Sequence, residues 1–241
     1  MILKLVRMAR RSDAPFFRFL RTVAKRVRAG NLPVPRFLHP LLLPFFYLPM
    51  VVRRVSSFLF SYFVREPLFR SRCASMGRNF RLTRMPWVVG HAEIHIGNDV
   101  SFFGKVDISS GGVFDRPRLI LGDRVDLGHG VGFTVNKEII IEEDVNVANH
   151  VQFRDSDAHP RDAAARIADE RPPAEEIKPV RVCRRAWIGG HVYIMKGVTI
   201  GEGAIIGVNS VVVTDIPPYC VAMGNPARVV VKGQKPAGES A

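Results

Sequence analysis

An all-β body wound from six-residue repeats, behind a mainly α-helical, basic and aromatic extension, is the fold class the sequence predicts. Two observations carry it. Aliphatic residues stand six apart at Ile188, Ile194, Ile200, Ile206 and Val212. A helix of period 3.6 cannot keep such residues on one face, whereas short strands separated by turns can. The second observation is a division of charge. The 241 residues carry 35 Lys and Arg against 22 Asp and Glu, a formal charge of +13. Residues 1–84 hold 18 of the basic residues and only Asp13 and Glu66, which makes them +16, and residues 85–241 are −3. Eleven of the 16 Phe also fall in the first segment. The basicity therefore belongs to a leader and not to the body.

The leader begins with an amphipathic stretch over residues 1–30. Phe16, Leu20, Val23 and Val27 recur at helical spacing, with Arg18, Arg21, Lys25, Arg26 and Arg28 around the remaining circumference. Asp13-Ala14-Pro15 interrupts it, because proline suits a first helical turn and not an interior. Lys4, Arg7, Arg10 and Arg11 leave no continuous apolar stretch of the kind a secretory signal needs. Residues 37–52 are then uncharged but hold Pro40, Pro44 and Pro49, and Arg53-Arg54 closes the run before a second apolar stretch over 55–64. Spanning a bilayer takes ~20 apolar residues with every backbone group paired. These segments are therefore expected to be interfacial or shallowly re-entrant at an anionic membrane surface, not to cross it. No nucleic-acid motif accompanies the charge, and Leu, Phe and Pro runs suit lipid better than phosphate. The competing reading packs these apolar residues on protein.

The repeat domain is expected over residues 85–220, followed by a C-terminal segment over 221–241 that contacts a cofactor and then becomes disordered. Earlier phases of the repeat are Ile96, Phe102, Ile108, then Leu121, Leu127, Phe133, then Ile141, Val147, Phe153. Val100, Val125, Val145, Val192, Ala204 and Ser210 stand four residues after positions of this kind. Three hexads close a triangular coil with its apolar positions stacked inward, and Gly or Asn takes the strained turn conformations. One interruption, residues 154–186, leaves the repeat and is the expected active-site loop, since loops on rigid scaffolds carry function. Cys73, Cys183 and Cys220 have neither metal-ligand spacing nor the number for a disulfide framework, which suits a reducing cytoplasm.

Three stretches carry a family resemblance: the loop Asp155-Ser-Asp-Ala-His159-Pro160, the run from Trp187-Ile-Gly-Gly190 to Asp215-Ile-Pro-Pro218, and the closing Gly224-Asn-Pro-Ala-Arg228. Over roughly residues 85–232 the sequence resembles the hexapeptide-repeat acyltransferases, whose fold is a left-handed parallel β-helix. The order of motifs is similar to the branch holding galactoside, maltose and surface-polysaccharide O-acetyltransferases. The resemblance implies a homotrimer with active sites between subunits, acetyl-CoA as acyl donor, a sugar or lipid-linked sugar as acceptor, and no metal.

Transfer of acetyl to a hydroxyl needs a base that titrates near neutrality, which histidine provides. The resemblance assigns that base to His159. Asp155 and Asp157 flank it and are candidates to orient the imidazole or bind acceptor hydroxyls. His150, one coil earlier, stands where the family often has an acceptor-binding Asn. The Gly190 amide matches the position that meets the acetyl end of the donor, where backbone N–H groups stabilise a developing oxyanion. Trp187 covers the same cleft, Val208 lines the pantetheine groove, and Arg228 and Lys232 lie at or beside phosphate-binding positions. Val213-Thr214 replaces a Thr-Lys common in the family, so one phosphate contact is missing.

The expected protein is thus an acetyl-CoA-dependent sugar O-acetyltransferase of surface polysaccharide or glycolipid assembly, held peripherally on the inner face of a membrane. A non-catalytic β-helix scaffold is the alternative from another class. A γ-class carbonic anhydrase would use the same coil, but the spacing of His91, His95, His129, His150, His159 and His191 does not resemble its zinc ligands.

Overall fold

A computed structural model describes residues 14–30 and 35–233. Lys4, Arg7, Arg10 and Arg11, and the tail expected to be disordered beyond 233, lie outside them. The chain divides into two units, Met1–Arg54 and Val55–Ala241.

The first unit is helical. α1 (Pro15–Arg28) starts on Pro15, which needs no N–H partner in a first turn, and no side chain caps it. Phe16, Leu20, Val23 and Val27 are all exposed along it. α2 (His39–Phe60) is one continuous helix of 22 residues in which no residue is buried. The prolines do not break it, contrary to what the run suggested. Pro40 falls in the first turn, where its missing N–H costs nothing, and Pro44 and Pro49 each remove one bond from an otherwise complete ladder.

The second unit is a coil of parallel strands. A π-helical turn (Ser61–Arg65) leads to α3 (Glu66–Arg72), and α3 to the first strands, β1 (Ser75–Met76), β2 (Arg81–Leu82) and β3 (Trp87–Val89). The chain then visits three sheets in rotation. β1, β4 (Glu93–Ile96), β7 (Arg118–Leu121), β10 (Glu138–Ile141), β13 (Val180–Val182) and β16 (Thr199–Ile200) form one. The second runs from β2 through β5 (Ser101–Phe102), β8 (Asp126–Leu127), β11 (Asn146–Val147), β14 (Trp187–Ile188) and β17 (Ile205–Ile206). The third holds β3, β6 (Val106–Ser109), β9 (Val131–Thr134), β12 (Gln152–Arg154), β15 (Tyr193–Ile194) and β18 (Val211–Val212). β19 (Val221–Gly224) extends the second sheet, and β20 (Ala227–Val231) folds back antiparallel on it, covering its edge after a cis Asn225-Pro226 bond.

Register stacks like on like. Met76, Ile96, Leu121, Ile141, Val182 and Ile200 align through successive coils, as do Leu82, Phe102, Leu127, Val147, Ile188 and Ile206. The hexad residues read from the sequence are buried, as are the branched residues four positions on. Each aliphatic residue packs on its equivalents above and below at the ~4.8 Å strand spacing, which is why a six-residue pattern suffices to build the core.

Three expectations need correction. The coil begins at Ser75, before the boundary drawn at 84/85, so β1 and β2 belong to the body. The repeat is interrupted twice: residues 110–117 also leave it, between β6 and β7. At one corner of the coil the left-handed turn positions are seldom Gly. Asn79, Asp99, Arg124, Asp144, Arg185, Gly203 and Tyr219 occupy one corner of successive coils, with φ from 55° to 62°. An L-residue there costs about 1 kcal/mol, and the stacked coils on either side hold it in place.

Candidate active site

The 154–186 loop leaves the coil after β12 and is tied down at its base. The Asp155 carboxylate is fully buried and accepts from the backbone amides of Asn136 (2.8 and 2.9 Å), Lys137 (2.6 Å) and Glu138 (2.9 Å). Its carbonyl accepts from Lys178 N at 3.0 Å, which closes the loop on itself. Burial pushes the Asp155 carboxyl above the usual carboxylate range, while the amides of Lys137, Asn136 and Glu138 and the Asn136 side chain pull it back. An aspartate so consumed has no oxygen left for an acceptor sugar. The substrate-binding role expected for Asp155 is therefore corrected: it anchors the loop.

Beyond this anchor, the Ala158 amide donates to Ser156 Oγ at 3.0 Å, and Ala158 lies in the left-handed region at φ 68°. That turn presents His159 to solvent, where its side chain is exposed. Asp157 is paired with Lys196 at 2.5 Å, and Lys196 also faces Glu176 at 3.8 Å. A short helix, α4 (Ala163–Ile167), is capped by Asp162, whose Oδ2 accepts from Ala165 N at 2.8 Å. Arg171 reaches back to the Gly112 carbonyl in the other excursion, so the two interruptions of the repeat touch.

A second group forms at one corner of the coil. Register places His129, Asn149, Gly190, Val208 and Gly224 in one column. The His129 amide donates to Asn149 Oδ1 of the next coil at 2.8 Å. At the equivalent points further on, Gly190 and Val208 offer no side-chain acceptor. Among the described residues the amide of Gly190 meets no protein acceptor, while its neighbours Gly189 and His191 bond Ile206 O and Asn149 O at 2.8 and 3.0 Å. A Cβ at 190 would meet only Asn149 O at 3.4 Å, so space is open there. Beside the column lies a groove of about 420 Å³, bounded by Phe103 and Trp187 and floored by Gly128 and Ala148. Arg228, paired with Met223 across the β19–β20 hairpin, and Lys232 stand exposed past the end of the column.

The structure thus gathers Trp187, Gly190, Val208 and Arg228 along one edge, with His150 next to it. His159 and Asp157 belong to the loop instead, and His159 does not line the Trp187 groove. Sequence reasoning missed a cluster of three imidazoles, in which His150 stacks on His191 and meets His129 edge-on. His150 lies 5.5 Å from His129 and 4.8 Å from His191, ring centre to ring centre. The His129 Nδ1 accepts from Lys105 N at 3.1 Å. Among the described residues no group of three or more His, Cys, Asp or Glu is placed to hold a metal.

No family model matches the chain. Galactoside O-acetyltransferase of Escherichia coli is 28% identical over 166 residues, which cover 69% of this chain and 67% of that protein. Proteins of Staphylococcus aureus provisionally named acetyltransferases are 52% identical over 58 residues, and the matched part spans only 29% of their length and 24% of this chain. Among solved structures, a hexapeptide-repeat acetyltransferase of Vibrio cholerae complexed with acetyl coenzyme A superposes with a TM-score of 0.50 at 24% identity, over 71% of this chain and 77% of that one. A variant of an N-acyltransferase from Bacillus cereus, in complex with dTDP and coenzyme A, gives 0.54 at 19%, over 72% and 91%.

The chain is similar in sequence and in fold to the hexapeptide-repeat acetyltransferases. Within that likeness the stacked histidines had one legible signal. His150 and His191 stand three residues after Val147 and Ile188, at matching points of their hexads. The 41-residue separation across a loop hides that equivalence until the coils are stacked.

Proposed function

We propose that the protein is an acetyl-CoA-dependent O-acetyltransferase that modifies a sugar hydroxyl in surface polysaccharide or glycolipid assembly. In this reading the coil winds left-handed and three copies form a trimer. The carrying observation is the corner column itself. A thioester donor laid along it meets the free Gly190 amide at its acyl end, Val208 one coil further at ~4.8 Å rise, and the cations Arg228 and Lys232 at its phosphates. Trp187 walls the acyl end against water.

His159 removes the proton from the acceptor hydroxyl as that oxygen attacks the thioester carbonyl, and the Gly190 N–H stabilises the charge that builds on the carbonyl oxygen. The thiolate of the donor leaves and takes up a proton, so no covalent enzyme intermediate is needed. His159 comes from one subunit and the Gly190 corner from its neighbour, which fits the absence of His159 from the groove at Trp187. Exposed Phe103, Trp187 and Tyr193 supply apolar surface for that contact. His150, beside the column, contacts the acceptor, and Asp157 holds the loop through Lys196.

The test is thiol release from acetyl-CoA with candidate acceptors, comparing the native protein with His159→Ala. Because His159 is exposed, the variant is expected to keep its fold and assembly and to lose activity by about 10²- to 10⁴-fold. Full activity in a folded, trimeric variant removes His159 as the base. Absence of both coenzyme A binding and thiol release from the native protein points to a scaffold.

The leader is proposed to hold this enzyme on the cytoplasmic face of a membrane, where a lipid-linked acceptor is presented. Each Lys or Arg near an anionic leaflet contributes on the order of 1 kcal/mol.

A further inference from the structure

The helical stretch Arg36–Arg72, of which α2 is the main part, is long and apolar enough to cross a membrane by length and composition alone, and no residue of α2 is buried. Its charge pattern argues for a different placement. The uncharged run 37–52 is 16 residues long, about 24 Å at a helical rise of ~1.5 Å, and a hydrocarbon core is ~30 Å thick. Arg53 and Arg54 follow inside the same helix, before its end at Phe60. A crossing would bring both into or close to the apolar layer, where a charged side chain is costly.

The flanks are decisive. Residues 1–36 carry ten Lys or Arg and one acid, and residues 53–84 carry eight Arg and one acid. Lys and Arg beside apolar segments are retained on the cytoplasmic side. A single crossing must send one of these two basic flanks across, and neither is the weaker by a margin that would select an orientation. α1 adds a helix with Phe16, Leu20, Val23 and Val27 on one side and Arg18, Arg21 and Lys25 on the other, the pattern of a helix lying flat at headgroup depth.

We propose that residues 37–60 enter a single leaflet of an anionic phospholipid membrane, so that both basic flanks stay on the same face, while Ser61, buried against the coil and bonded to the Leu82 carbonyl, marks where the chain leaves the lipid. This rests on the membrane-attached reading above and names its topology. Burial in one leaflet removes the apolar side chains of α2 from water. Arg53 and Arg54 reach phosphate groups from within the helix by extending their side chains to the surface.

The experiment uses the full chain, carrying a protease-cleavable epitope tag at each end, produced in a bacterium. Spheroplasts and inverted vesicles are treated with protease. The expected result is membrane-bound protein with both tags cut in inverted vesicles and neither cut in intact spheroplasts. An N-terminal tag cut in spheroplasts while the C-terminal tag is protected means that α2 crosses, and overturns the proposal. Recovery of the protein in the soluble fraction overturns it as well, and points to packing of α2 on protein. Purified protein is also expected to bind vesicles containing phosphatidylglycerol at least tenfold better than phosphatidylcholine vesicles, and equal binding overturns the anionic-lipid assignment. Thiol release from acetyl-CoA is measured on the same preparation. Its absence with both tags on one face counts against the transferase and leaves the topology standing.

Discussion

Asp155 and His159 sit four residues apart and do opposite work. Asp155 is the more buried and the more constrained, with its carboxylate spent on three consecutive backbone amides at the foot of the loop. Replacing it by Asn puts an NH2 group against those donors. Asp155→Asn is expected to destabilise the fold by about 1–3 kcal/mol, read as a lower midpoint in urea, and to lower transferase activity through misplacement of the loop. A native midpoint would mean that the anchor is dispensable. Among the described residues His159 meets no such partner, which suits a residue that must meet a substrate. The sequence placed both residues in one motif and could not separate them, because burial depends on the turn at 136–138, which is remote in the chain.

At the scale of elements, the corners of the coil are as informative as its strands. Asp144 is bound by Arg124 at 2.6 Å across adjacent coils, and the Arg124 side chain holds its carboxyl below the usual range. Asp123 is lowered likewise, by the Asn98 backbone amide and then the Asn98 side chain. A carboxyl lowered in the folded state adds stability above its unfolded value, near ~3.9, and that stability is lost as pH falls through the folded value. Asp144→Asn is therefore expected to lower Tm slightly at pH 7, and the gap should close as pH falls below the usual carboxylate range and through the lowered folded-state value. The effect is small because the pair is exposed. A gap that is constant with pH would exclude the ion pair as its source. The strands themselves were legible from Ile94 onwards. The first coil was not, although Met76, Leu82 and Val88 stand six apart, because Arg78, Arg81 and Arg84 gave that stretch the composition of the leader.

For the whole molecule, the boundary between leader and body decides how the two can be separated. Phe69 of α3 is 1% exposed and packs against Phe80 and Phe102, with ring centres 5.8 and 5.9 Å away. Arg72 bonds the carbonyls of Gly90 and Ala92 at 3.1 and 3.2 Å. α3 thus caps the open end of the coil and belongs to its core. Removing residues 1–54 is expected to abolish vesicle binding and leave the fold and thiol release intact. Removing 1–75 takes the cap as well and should give an unstable protein. Phe69→Ala in the full chain is expected to cost about 3–5 kcal/mol, measured by chemical denaturation. A negligible loss would show that the coil does not need its cap.

The sequence by itself determined the coil and the charge division. Each hexad carries its own burial pattern, and charge is additive along a chain, so neither depends on knowing which residues meet. Only the tertiary structure decided that α3 and the first coil belong to the body, that Asp155 is an anchor, that His150 stacks on His191 with His129 edge-on to it, and that the Gly190 amide meets no acceptor among the described residues. Each of these is a relation between residues remote in the chain, from 11 apart for Phe69 and Phe80 to 41 for His150 and His191, made by the stacking register, and the length and course of the intervening loops set that register.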